Sequence, residues 1–119
     1  MNVLVVEDEA IIAIELQRIA EEAGHKVLGP VYTIEQALFH APRTDIALVD
    51  LGLADGASGP QLARRLIDRF GISVIFVTGS PLDVGTGREG AIAVVGKPFT
   101  DEQIAAALQT ASESRFGVV

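Results

Sequence analysis

DIALVDLGLADG, residues 45–56, is the stretch whose reading decides the fold. Ile46, Ala47, Leu48, Val49 and Leu51 are apolar, and a single carboxylate, Asp50, stands among them. A short apolar run bounded by turn residues is the pattern of a strand covered on both faces of a parallel sheet. Such a strand has no use of its own for a charge. Burying an unpaired carboxylate costs several kcal/mol, so Asp50 must meet a cation, a metal or water, most easily where the strand stops at Gly52.

Outward from this strand, apolar runs alternate with helical periods. Residues 2–6, NVLVV, read as a strand that ends abruptly in Glu7, Asp8 and Glu9. Ile12, Leu16, Ile19 and Ala23 predict a helix over 10–23 with those residues inward, stopped by Gly24. A short strand at 26–28 is expected to end at Gly29 and Pro30. Thr33 and Gln36 have capping-box spacing, which starts a helix at Ile34 and carries it to about Ala41. After the 46–50 strand and a glycine-rich loop, a helix over 59–70 turns Leu62, Leu66 and Phe70 inward. Residues 73–77, SVIFV, form the fourth strand. Ser80 and Pro81 then announce a helix, but Gly85, Gly87 and Gly90 each cost about 1 kcal/mol within one, so it is expected to be short or irregular. The fifth strand is read at 91–95, AIAVV. A second capping box, Thr100 with Gln103, opens a last helix to about Ser112 with Ile104, Leu108 and Ala111 inward.

Five strands alternating with five helices imply right-handed crossovers and a doubly wound α/β fold, read as one domain over residues 1–119. Ligands in such folds bind beyond the carboxyl ends of the strands. Composition narrows the function. Without cysteine there is no disulfide framework or thiolate zinc site, and His25 and His40, far apart in sequence, are assigned to the surface. A net charge of −7 argues against direct nucleic-acid binding, and Arg64, Arg65 and Arg69 read as a solvated helix face. The first residues turn acidic after a few apolar ones, which is neither a secretory signal nor a membrane span, so a cytoplasmic protein without membrane insertion is expected.

The residues at the strand ends make a constellation: Glu7 and Asp8, Asp50, Thr78 and Lys97. Three carboxylates at one edge repel one another unless a divalent cation sits among them, and an open oxygen-only site suits Mg²⁺. Lys97, in VVGKPF, needs an acidic partner, and Asp50 or an anion bound to it is on offer. A carboxylate nucleophile, Mg²⁺, a lysine and a hydroxyl together suit phosphoryl transfer through an aspartyl phosphate.

VLVVEDE, ALVDLGLADG, VIFVTGS and GKPF, in that order, resemble the motifs of two-component response-regulator receiver domains along essentially the whole chain. The resemblance implies a flavodoxin-like (βα)5 fold with strand order 2-1-3-4-5. It implies that Asp50 is the phosphoacceptor for a sensor histidine kinase or histidine phosphotransfer protein. By the same resemblance, Asp8 is a direct Mg²⁺ ligand, Glu7 acts through water, and the Gly52 backbone carbonyl also reaches the metal. Thr78 and Lys97 meet the phosphoryl group, and Pro98 follows the lysine, often through a cis bond. The hydrolysis-tuning positions fall on Gly52 and Ser80, neither of which positions a water, so slow dephosphorylation is expected. Val94 stands where many receivers carry a switching aromatic, which shifts readout toward the segment 80–90. The leading reading is a phosphorylation-controlled switch with an unspecified downstream protein partner, no output domain on this chain and no turnover of a separate substrate. A receiver-like scaffold independent of phosphorylation is the runner-up. An aspartyl-phosphate hydrolase is the third reading, weakened because no carboxylate lies two residues after Asp50.

Overall fold

Alternating side chains divide the strands between two faces of a five-stranded parallel sheet, whose strands, counted in chain order, lie side by side as 2-1-3-4-5. The protein is seen in a computed structural model that describes residues 1–51, 59–79 and 90–116. Its strands are β1 (Asn2–Val6), β2 (Lys26–Val31), β3 (Ile46–Val49), β4 (Ser73–Thr78) and β5 (Ala93–Gly96). The described helices are α1 (Ala10–Glu22), α2 (Ile34–His40), α3 (Gly59–Phe70) and α4 (Asp101–Arg115), with a 3-10 turn at Ala41–Arg43. Val3, Val5, Ile46, Leu48, Ile75 and Val77 pack on one face with buried residues of α1 and α4. Leu4, Val6, Ala47, Val49, Val74 and Phe76 pack on the other with α2 and α3. The two-residue period of each strand therefore feeds both cores, as the continuous apolar runs require.

The doubly wound fold and strand order agree with the sequence reading, whereas several boundaries differ. β2 does not stop at Leu28 but runs through a cis Gly29–Pro30 bond to Val31. It is an edge strand, where a missing N–H is tolerated, and the pairing with β1 shifts register between Leu4 and Val6 to admit the irregularity. Gly29 is required there: its φ is +87°, and a Cβ would lie 2.9 Å from the Val31 nitrogen. α1 turns Ala13, Leu16, Ile19 and Ala20 inward, while Ile12 is half-buried and Ala23 exposed, a stripe rotated from the expected one. β5 begins at Ala93 rather than Ala91, and Phe70 is 38% exposed at the end of α3. α4 continues past Ser112 to Arg115, whose guanidinium reaches the Gly71 carbonyl at 2.8 Å and the Asp45 carboxylate at 3.6 Å. Both capping residues, Thr33 and Thr100, accept from the backbone as read. His25 and His40, assigned to the surface, are both half-buried, and the His25 ring nitrogen Nδ1 is out of solvent. The helix expected after Ser80 and the loop from Gly52 lie outside the described residues.

Candidate functional site

Parallel register brings the strand ends to one edge. Val6 pairs with Val49, Val49 with Phe76, and Thr78 with Gly96, so the residues that follow these strands emerge together. Backbone bonds then hold them in place. The Asp50 N–H donates to the Val6 carbonyl at 2.9 Å, the Glu7 N–H to Val31 at 3.0 Å, and the Lys97 N–H to Thr78 at 2.7 Å. The extension of β2 to Val31 thus contributes directly to holding Glu7.

Glu7, Asp8 and Asp50 each present a carboxylate oxygen, all within 4.8 Å of one another. Glu7 is buried, Asp50 half-buried and Asp8 exposed, so the cluster opens to solvent on one side. Hard oxygen donors gathered this closely, with room for water, fit a divalent cation such as Mg²⁺. Lys97 enters from the end of β5, its Nζ 2.7 Å from Glu7 Oε1 and 3.6 Å from Asp50 Oδ1. Glu7 continues the alternation of Val3 and Val5, and Lys97 that of Val95, which sends both toward the α1 and α4 side. The nearest acid to the lysine is therefore Glu7, whereas the sequence pointed to Asp50. Glu9, which the sequence reading left aside, also approaches Lys97 Nζ at 3.6 Å. Only its place in the acidic run after β1 could have signalled it.

Charge in this buried setting is perturbed. Burial pushes the Glu7 carboxyl up from its ordinary 4.5 to about 7, against the lowering effect of hydrogen bonds with Lys97 and the Glu9 N–H; the neighbouring Asp50 charge raises it further. For Lys97, burial lowers the pKa, but the hydrogen bond and charge of Glu7, then Asp50 and Glu9, carry it above its ordinary value. Removing Lys97 would leave the buried Glu7 carboxylate without its cation, whereas without Glu7 the lysine would keep Asp50 and Glu9, each at 3.6 Å.

Thr78 closes β4 at the same edge, 3% exposed. Val94 lies half-buried on β5, paired with Phe76 and packed against the α2 and α3 core. Pro98 is exposed and follows a cis bond. Gly52 and Ser80 lie outside the described residues. Gly59 is a site residue the sequence reading saw only as a helix start. Its N–H donates to the Leu51 carbonyl at 2.6 Å, and a Cβ there would collide with the Asp50 carbonyl oxygen and sit 2.7 Å from Leu51 Cα. Any side chain at 59 would displace the backbone that carries Asp50.

Fold and site together define a doubly wound α/β domain whose carboxylate cluster and lysine meet at the carboxyl ends of the strands. A family model, the response regulator receiver domain, matches residues 3–109, and the chain belongs to that family. It is 34% identical over 114 residues to the phyllosphere-induced regulator PhyR of Methylorubrum extorquens, covering 92% of this chain and 43% of PhyR. The signal receiver domain of a modulated diguanylate cyclase from Desulfovibrio desulfuricans superposes with a TM-score of 0.86 at 30% identity, covering 97% of this chain and 95% of that one. The anti-anti-sigma factor PhyR of Bartonella quintana superposes at 0.82 and 30% identity, over 97% of this chain and 48% of its own. The chain spans about half the length of the curated relatives it matches. Family membership places it in two-component signalling. Among the described residues no helix is long and apolar enough to cross a membrane.

Proposed function

We propose that residues 1–119 form one receiver domain that accepts a phosphoryl group on Asp50 from a sensor histidine kinase or a histidine phosphotransfer protein. The observation that carries this is the convergence of the Glu7, Asp8 and Asp50 carboxylates within 4.8 Å, with Lys97 Nζ 3.6 Å from Asp50. Asp50 Oδ attacks phosphorus; an O–P bond forms as the donor's P–N bond breaks, and the donor imidazole nitrogen keeps the bonding pair. Asp8, Asp50 and the Gly52 carbonyl would hold Mg²⁺, with Glu7 behind a water. Bound there, Mg²⁺ supplies neutralisation of the charge on the transferring phosphoryl oxygens. Lys97, parked between Glu7 and Asp50, needs only a small displacement to pair with the new anion. Thr78 donates its hydroxyl to the same group. With glycine at 52 and only a serine hydroxyl at 80, no carboxylate or amide stands at the hydrolysis-tuning positions to orient an attacking water, which favours a long-lived phosphoryl state.

The downstream partner is a protein whose affinity depends on phosphorylation. Net charge −7 disfavours nucleic acid, and a relative described as an anti-anti-sigma factor supports a protein target. Readout proceeds without an aromatic at Val94. The test is incubation with phosphoramidate and Mg²⁺, followed by intact mass. One added phosphoryl group, absent in Asp50→Asn, is expected. No labelling with any donor would point to a scaffold, and steady phosphate release at enzymatic rates to a hydrolase.

A further inference from the structure

Lys97 lies at one end of a five-residue connection whose other end, Asp101, opens α4. At the first end the Lys97 N–H is bonded to Thr78 on β4. At the second, the Asp101 carboxylate is gripped by Arg18 of α1 through two parallel bonds, Nη1 to Oδ2 and Nη2 to Oδ1, both 3.1 Å. Arg18 is itself steadied by Glu22 one turn on, at 3.3 Å. Between the ends, Phe99 packs against the core shared by α1 and α4, and Thr100 closes its capping box with Gln103.

The same helix that holds Arg18 begins three residues after Glu7, the nearest partner of Lys97. Glu7 and Arg18 thus belong to one continuous unit, while Lys97 and Asp101 belong to another. If α4 slid along α1, Lys97 would move relative to Glu7 and Asp50. A bidentate guanidinium–carboxylate pair fixes orientation as well as distance, which a single-point lysine contact would not. We propose that Arg18 and Asp101 are positioning residues that set the register of α4 against α1 and so hold Lys97 at the phosphoacceptor site.

Both side chains are about half exposed, and exposed pairs contribute little to global stability. That separates this role from a merely structural one. The inference rests on the phosphoacceptor reading of Asp50, so the wild-type protein is labelled first with phosphoramidate and Mg²⁺; failure there overturns that reading. With labelling established, Arg18→Ala and Asp101→Ala are each expected to slow phosphorylation about three- to tenfold, the scale of a loosened rather than a deleted reacting group. The double variant should be no slower than the worse single one, because the pair acts as a unit. Arg18→Lys should be slowed nearly as much as Arg18→Ala. Amide exchange at Lys97 should quicken, while Mg²⁺ affinity stays within about twofold because the three carboxylates directly follow β1 and β3. Unchanged rates in the single variants, multiplying losses in the double one, or a slowing that merely tracks loss of unfolding free energy would each overturn the proposal.

Discussion

Replacing Glu7 by Gln in metal-free protein is expected to stabilise the fold above neutral pH and to leave it nearly unchanged in mild acid. Glu7 is fully buried, and burial raises its carboxyl from 4.5 to about 7. Between those values the folded chain keeps the Glu7 proton that the unfolded chain has released. The stabilising contribution is therefore complete below about 4.5 and is lost as pH rises through about 7. At 1.36 kcal/mol per unit, the ionised carboxylate weakens the fold by about 3 kcal/mol at pH 8. Glutamine removes that charge and retains an acceptor for the Glu9 N–H, now 3.2 Å from Glu7 Oε2. The attraction of Lys97 is already contained in the pKa of about 7, because its hydrogen bond and charge act to lower it, and with glutamine the lysine keeps Asp50 and Glu9, each at 3.6 Å. The expected gain at pH 8 is therefore about 3 kcal/mol. Urea denaturation of both proteins in chelator, at intervals from pH 4.5 to 8, measures the difference between them. It should open from near zero as pH rises. A difference independent of pH, or a variant less stable at pH 8, would refute the electrostatic account of Glu7.

Gly59→Ala should destabilise by about 1–3 kcal/mol, as overpacking does, and should also slow phosphorylation of Asp50, because the added methyl presses on the Asp50 carbonyl; denaturation and intact-mass labelling read the two effects separately. Mg²⁺ at a hundred times its Kd should stabilise the wild-type protein by about 2.7 kcal/mol, and Asp8→Asn should abolish most of that gain in a thermal shift titration. Thr100→Ala removes the cap of α4 and should cost about 1 kcal/mol in urea denaturation, with amide exchange quickened first at the start of that helix.

Most of the architecture was legible because it is written in short-range patterns. The runs 3–6, 46–49 and 74–77 are apolar on both faces, the pattern of strands covered on both sides of a parallel sheet, and Thr33 and Thr100 mark helix starts within three residues of their partners. Where the reading failed, the deciding contact was remote. β2 passes through Pro30 because it lies at the sheet edge, a fact of strand order rather than of local composition. α4 outruns its apolar stripe because Arg115 finds Gly71 and Asp45, residues 44 and 70 positions away. The rotated stripe of α1 follows from how that helix lies against α4 and the sheet.

By itself, the sequence determined that Asp50 ends a buried strand and that Glu7, Asp8, Thr78 and Lys97 end or follow others, because alternation with helices forces all these ends to one edge. Tertiary structure alone decided how those charges are shared. Lys97 rests closer to Glu7 than to Asp50, Glu9 joins them, Gly59 leaves space for the Asp50 backbone, and Arg18 reaches Asp101 across 83 residues. Periodicity acts over a few neighbours and so specifies which edge a residue reaches. Distances of an ångström between charges depend on strand register and helix packing, which no single stretch of chain contains.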